Sequence, residues 1–188
     1  MDIIADARTL ALAEINKFGL PDPIHFEISA QKAIELATKL GADNLIVSVG
    51  IVLIDLKLGQ ASQQSNVPQH VAMSVDAARE FLCSYDLPKT SKEKILNCIE
   101  AHHKDVPFHC IEAEICANAD CYRFIHPRGL FAYLTLLGRR NLSFAACLDQ
   151  AEKKLDEKYS ILSLELCKKE LEPYYYTLKR YLNDARSL

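Results

Sequence analysis

One segment near the middle of the chain, residues 45–59 (LIVSVGIVLIDLKLG), is almost continuously apolar and contains a single acidic side chain, Asp55. A carboxylate that leaves water without a partner is destabilising, so a buried one is normally protonated, paired or bound to a metal ion. The run is too short to cross a bilayer, and Asp55 interrupts it. The segment therefore predicts a buried core element that carries an acid with a specific role.

The secondary structure of this segment has two interpretations. Its Val and Ile content favours a β-strand by propensity alone. Its length, the helix signals on both sides and the lack of a partner strand in the sequence favour a helix that is apolar all round because it is buried all round. We interpret it as a central helix whose N-cap is Asp43.

The first part of the chain also carries helix start and stop signals. Residues 3–18 have helical apolar spacing and end before Gly19. Asp22 followed by Pro23 is the pattern of an N-cap and a first helical residue, and the helix that they open would end at Gly41.

The rest of the chain continues this pattern. Residues 59–68 (GQASQQSNVP) indicate a polar connector, and residues 69–85 return to helical spacing. Thr90 and Glu93 match a capping box. The helices expected after the connector are 69–85, one from Thr90 to His102-His103, 111–122, and two or three from about residue 128, with Pro173 marking a break or restart. The sequence predicts an all-α fold.

Length, charge and cysteine content limit what the chain can be. With 188 residues it fits one domain, and a net charge of −3 gives no basic surface for nucleic acid. The N-terminal segment lacks the basic region of a secretory signal. Seven cysteines are an odd number, in a chain too long to need disulfides, which indicates free thiols in a reducing compartment. We expect a cytoplasmic domain without membrane association.

Several histidines and aspartates lie near apolar helix faces and are candidates for metal binding or catalysis. They are His25, Asp55, His70, His102, His103 and Asp120. A single histidine on a helix is more often a structural residue, and Asp120 alone could be a cap or a salt-bridge partner. The cysteines between residues 110 and 121 lack a CxxC pair, so free or buried thiols are favoured over a zinc site.

The order and context of these residues resemble the HD-domain superfamily of metal-dependent phosphohydrolases. That family has a His on an early helix, a His-Asp pair ending an apolar helix, and a distant Asp, often within Ala-Asp. The matching stretches are DPIHFEISAQKAIELATKLGAD with His25, IVLIDLKLG with Asp55, HVAMSVDAAREFL, ILNCIEAHH, and IEAEICANADCYRF with Asp120. The resemblance covers roughly residues 20–130, and residues 131–188 would form a C-terminal helical extension.

The resemblance implies an HD-domain-like multi-helix bundle and a divalent metal, Mn, Fe, Zn or Mg, held by His25, Asp55 and Asp120. Such a metal would explain an acid within an apolar helix. It would activate water and polarise a phosphoryl oxygen of a small phosphorylated metabolite, such as a nucleotide.

The chain departs from the family pattern at this metal. Ile54 stands where the signature His is expected, and isoleucine cannot bind a metal. Asn118 and Arg123 lie where relatives often carry acids. The loss of a ligand predicts weak or absent metal binding, which Ile54→His should restore.

Two features could offset this loss. His70, with His102 or His103, could supply a second metal position together with Asp55, although these histidines could equally be supporting or surface residues. Without a metal, Asp55 would need a cation, and the family arrangement makes His25 the expected partner, as an imidazolium.

Competing functions therefore stay open. The first is an HD-type phosphohydrolase in which His25, Asp55 and Asp120 hold the metal while Asp55, His70 and His102 act in catalysis. The second is a catalytically degenerate HD domain that binds a ligand or regulates. A third, HD-type iron oxygenase chemistry, requires a complete di-metal ligand set.

Overall fold

The computed structural model describes residues 2–187, and this part of the chain is helical without a β-strand. The α-helices in chain order are α1 (Ile3–Phe18), α2 (Pro23–Leu40), α3 (Asn44–Leu53), α4 (Leu58–Gln63), α5 (His70–Cys83), α6 (Lys89–Glu100), α7 (Ile111–Ile125), α8 (Pro127–Arg139), α9 (Phe144–Ile161) and α10 (Glu165–Asp184). A short 3₁₀ helix, Val67–Gln69, precedes α5. The prediction of an all-α fold is confirmed.

The helix-start signals act as the sequence indicates. Asp22 accepts a hydrogen bond from the backbone N–H of Ile24 at 2.8 Å, directly before α2. Asp43 accepts from the N–H of Leu45 at 2.9 Å and of Ile46 at 3.2 Å, at the start of α3. Each carboxylate satisfies backbone donors that a helix leaves unpaired in its first turn.

The apolar segment forms the central helix α3, which packs against α1, α2, α6 and α7. All of its residues from Ile46 to Leu53 are buried. At Gly50 the helix approaches α6 so closely that an added Cβ would lie 2.6 Å from Cys98 Cβ. Burial on all sides explains why the segment shows no amphipathic pattern in the sequence.

Helix α7 is the second central element, and it packs against α2, α3, α6, α8, α9 and α10. Its residues from Ile115 to Ile125 are all buried. The C-terminal helices α8, α9 and α10 thus complete the surroundings of α7. Polar residues on α7, including Asp120 and Arg123, are forced into the interior with it.

Several local expectations are wrong. Helix α6 begins at Lys89 without a side-chain cap, so Thr90 and Glu93 form no capping box, and it ends at Glu100, before the two histidines. Pro173 lies inside α10 and does not break it. Within the expected polar connector, residues 58–63 form α4.

The apolar segment ends in a turn at residues 54–57, which places Asp55 outside the regular part of α3. The backbone N–H of Lys57 donates to Ser74 Oγ of α5 at 3.0 Å. Because Ser74 is fully buried, this bond fixes the turn against α5. It holds Asp55 on the same side of the molecule as His70, the first residue of α5.

Residues 44–63 are long and apolar enough, by length and composition, to cross a membrane. However, 72% of the apolar window is buried inside the bundle, and the turn at residues 54–57 divides it. This is the character of a core helix in a helical domain.

Candidate functional site

All the candidate histidines and aspartates lie around one cavity of about 200 Å³. Basic side chains share its wall with them, and Phe124, Tyr133 and Leu136 supply apolar surface. The polar side chains that line it are Asp22, His25, Asp55, Ser62, His70, His102, His103, Asp120, Arg123, Arg140, Lys154 and Lys158. The fold thus brings together residues that lie far apart in the sequence.

Asp55 and Asp120 face each other across a guanidinium group. Arg123 Nη1 donates to Asp55 Oδ2 and to Asp120 Oδ1, at 2.6 Å in both cases. Lys158 Nζ, from α9, lies 2.6 Å from Asp120 Oδ2. All four side chains are buried, so two acids and two bases form a closed ion-pair cluster in the interior.

Burial alone would raise the pKa of both carboxyl groups, because it disfavours the charged form. The charge of Arg123 and the hydrogen bond with His70 outweigh burial at Asp55, whose pKa lies well below its usual range. Lys158 and Arg123 do the same at Asp120, where the pKa is also lowered. Both acids are therefore ionised at neutral pH.

A second cluster, the histidine trio of His70, His102 and His103, adjoins the first at Asp55 and at Lys158, whose Nζ lies 3.3 Å from His103 Nδ1. One ring nitrogen from each residue lies within 4.8 Å of the others. His70 Nδ1 faces the carbonyl oxygen of Val67 at 2.8 Å, and His102 Nδ1 faces that of Ile99 at 2.7 Å. A carbonyl accepts only from an N–H, so the neutral rings of His70 and His102 carry their proton on Nδ1 and expose a lone pair on Nε2.

These Nε2 atoms point to a shared position next to Asp55. His70 Nε2 lies 3.4 Å and His102 Nε2 3.7 Å from Asp55 Oδ1. His103 Nε2 is 3.4 Å from His70 Nε2. Tetrahedral Zn²⁺ with bonds of about 2.0–2.1 Å separates its ligand atoms by about 3.3 Å, so the observed spacing fits a small divalent ion.

The protonation state of His102 supports the same conclusion. Burial, with the nearby His103, lowers the pKa of His102 to about 3, so this ring is neutral and able to bind a metal. Its Nε2 is buried and has no hydrogen-bond partner. Burial also lowers the pKa of His70, but the bond and charge of Asp55 raise it more, so a metal there must displace a proton.

His25 does not pair with Asp55, and that expectation is wrong. Its Nε2 lies 2.8 Å from the carbonyl oxygen of Gly129 at the start of α8. Burial, together with the positive charge of Arg123, lowers the pKa of His25 to about 4. The ring is therefore neutral, and the cations that Asp55 needs come from Arg123 and His70.

The ligand set His25, Asp55 and Asp120 stays a prediction, and as arranged here it does not fit a metal ion. Arg123 contacts one oxygen of each acid, Lys158 contacts the other oxygen of Asp120, and His25 Nε2 faces the carbonyl of Gly129. Ile54 is buried beside Asp55 and Arg123, in a small apolar cavity lined by Phe26 and Ile51. The histidine trio with Asp55 is the set of described residues that fits.

Sequence reasoning missed the basic half of the site. Arg123 was visible as a departure from the family pattern, and its position three residues after Asp120 places both on one helix face. Lys158 and Lys154 are part of a charged stretch of α9, which in the sequence is typical of a solvated helix face. Lys158 becomes buried because α9 packs on α7.

The cysteines contribute no metal site within residues 2–187. All seven are free thiols, as expected. Burial, together with the neighbouring thiol of Cys116, raises the pKa of Cys98 well above its usual range. Such a thiol stays protonated and is a poor metal ligand.

Comparisons with known proteins agree with this architecture. No protein-family model matches the chain. A 92-residue stretch, 49% of the chain, is 36% identical to Ribonuclease Y of Finegoldia magna and covers 16% of that protein, so the chain corresponds to only a small part of this relative.

Two crystal structures of Bacillus subtilis YpgQ share the fold. The one in complex with ADP has a TM-score of 0.66 and covers 98% of this chain and 95% of its own; the other has 0.63 and covers 97% and 93%. The sequence in each of these structures is 17% identical to this chain. The fold is that of HD-domain proteins. The histidine trio and the ion-pair cluster are two features of one pocket within this fold.

Proposed function

We propose that this chain is an HD-type, metal-dependent phosphohydrolase whose metal is held by His70, His102 and His103 beside Asp55. The substrate is a small phosphorylated metabolite, such as a nucleotide. The observation that carries the proposal is the buried Nε2 of His102, which has no partner and lies with His70 Nε2 next to an ionised carboxylate. Buried polar atoms are normally hydrogen-bonded, so a buried ring nitrogen without a partner indicates a position where a ligand binds.

The surrounding side chains suit a phosphate group. Lys154, Lys158 and Arg140 line the cavity, and their charges would attract and orient a phosphoryl group next to the trio. A divalent ion at the trio would act as a Lewis acid toward a phosphoryl oxygen and activate water as a nucleophile. Phe124 and Tyr133 supply apolar surface to the same pocket.

The size and charge of the pocket favour a small substrate over a polymer. A cavity of about 200 Å³ accommodates part of a nucleotide, and a chain with a net charge of −3 offers no electrostatic surface for nucleic acid. One of the two YpgQ crystals holds that protein in complex with ADP, which agrees with this class of ligand. The similarity to Ribonuclease Y makes RNA the competing substrate to be tested.

The test combines metal analysis with activity. Purified protein is loaded with Zn²⁺ or Mn²⁺, dialysed and assayed for phosphate release from nucleoside mono-, di- and triphosphates and for cleavage of an oligoribonucleotide. We expect one metal equivalent per chain and turnover of a mononucleotide. His102→Asn should lose both, whereas the matched control His109→Asn, a histidine at an exposed position outside the pocket, should lose neither. Turnover that survives His102→Asn would refute the proposal.

The degenerate-domain alternative has its own supporting observation. Arg123 and Lys158 balance Asp55 and Asp120 without a metal, so the pocket is stable as a binding site alone. In that case ADP should bind to chelator-treated protein with unchanged affinity, and no substrate should turn over with any metal.

A further inference from the structure

Asp55 stands between two different centres. Its Oδ1 atom faces the histidine trio, whereas its Oδ2 atom accepts from Arg123 Nη1 at 2.6 Å. Asp120 is likewise engaged on both oxygens, by Arg123 at Oδ1 and by Lys158 at Oδ2. The ion-pair cluster adjoins the trio, since Lys158 Nζ also lies 3.3 Å from His103 Nδ1.

The positive and negative charges of this cluster cancel, as they would if a divalent metal ion lay between the two acids. Two ionised carboxylates carry two negative charges, and Arg123 and Lys158 supply two positive charges, which is the charge of one divalent cation. The guanidinium contacts one oxygen from each acid with the same nitrogen, as a bridging ion would. The side chain of Ile54, next to Asp55 and Arg123, adds apolar surface and no ligand.

We infer that Arg123 and Lys158 together take the place of one divalent cation between Asp55 and Asp120, so that this half of the pocket keeps its charge balance without a metal ion. Arg123 is thus a positioning residue for Asp55, because it fixes one carboxylate oxygen and leaves the other toward the trio. This role of Arg123 does not depend on whether the trio is catalytic.

The replacement has a direct consequence for mutagenesis. Ile54→His alone should not recruit a metal, because the guanidinium still occupies the space between the acids. This revises the expectation from the sequence that Ile54→His restores binding. Removing Arg123 leaves two buried acids with one lysine, an arrangement that is strongly destabilised unless another cation enters.

The experiment compares metal stoichiometry across matched variants. Parent, Ile54→His, Arg123→Met and the double variant Ile54→His/Arg123→Met are incubated with Mn²⁺, dialysed and subjected to elemental analysis and thermal unfolding. We expect the double variant to bind one equivalent more than the parent and Ile54→His to bind no more. Added Mn²⁺ should raise the Tm of Arg123→Met by more than that of the parent.

Arg186→Met provides the control, since Arg186 also bridges two carboxylates, Asp149 and Glu152, but at the surface. It should leave the metal stoichiometry unchanged. A second test removes the trio by His70→Asn/His102→Asn, and with Arg123 intact this variant should retain no tightly bound Mn²⁺.

Three results would overturn the inference: a double variant with no additional metal, a double variant that stays unfolded in millimolar Mn²⁺, or tight metal retained after removal of the trio. A parent protein that binds no metal would instead count against the proposed hydrolase. It would leave the added equivalent in the double variant as an independent result.

Discussion

The neutral state of buried His25 makes the stability of the protein depend on pH in a way that one substitution can isolate. The pKa of this ring falls from 6.5 to about 4 on folding, because of burial and the charge of Arg123. Below the pKa that His25 has in the unfolded chain, the ring is protonated in the unfolded chain but stays neutral in the folded chain. The contribution of His25 to stability is therefore complete above that value and is lost as the pH falls toward the folded pKa.

The size of the effect follows from these two values. Between about pH 7.5 and about pH 5, protonation of the unfolded state lowers the free energy of unfolding by about 2 kcal/mol, and the full shift corresponds to about 3 kcal/mol. His25→Gln removes the titration and retains an N–H that can donate to the carbonyl of Gly129. Its free energy of unfolding should be lower at neutral pH and less dependent on pH.

Urea unfolding of both proteins, followed by circular dichroism at several pH values, measures this directly. The difference between parent and His25→Gln cancels the contributions of the other titrating groups. We expect the two curves of stability against pH to converge by about 2 kcal/mol as the pH falls from about 7.5 to about 5. Parallel curves would show that His25 is not held neutral by its surroundings.

Three further predictions concern the ion-pair cluster, the core and the metal. Asp55→Asn removes one of the two negative charges that neutralise the buried Arg123. It should lower the free energy of unfolding, measured by urea titration, by about 3–5 kcal/mol. A loss below about 1 kcal/mol would mean that the ion pair is solvated. Gly50→Ala should cost about 1–3 kcal/mol in the same assay, because its methyl group meets Cys98, and a neutral effect would show that α3 and α6 can separate freely. Added Zn²⁺ should raise the Tm of the parent but not of His102→Asn, and equal shifts would place the metal elsewhere.

The helices were predictable because their signals are local. An N-cap such as Asp43 and a stop such as Gly41 act within a few residues, so the sequence displays them directly. The central position of α3 followed from its continuous apolar character. The capping box at Thr90 and the break at Pro173 failed because neither pattern decides a helix boundary when packing favours another one.

The site was predictable only in part, because ion pairing depends on contacts between distant helices. The candidate acids and histidines could be selected by their context, and they do line one cavity. Lys158 differs from Lys153 in lying at helical spacing from Ala151 and Leu155, on the buried face of α9, but its pairing with Asp120 depends on a distant helix. The tautomers of His70 and His102 likewise depend on carbonyl groups that become neighbours only in the folded chain.

The burial of α7 links the chemistry of this pocket to the unfolding of the whole domain. Backbone amides of residues 115–125 can exchange with solvent only when the surrounding helices separate, so their exchange rates should report the global free energy of unfolding. Asp120 and Arg123 belong to that helix, whereas His70 on α5 and His103 in the turn after α6 are partly exposed. Local opening can therefore release a ligand from the histidine side while the ion-pair side persists until the molecule unfolds as a unit.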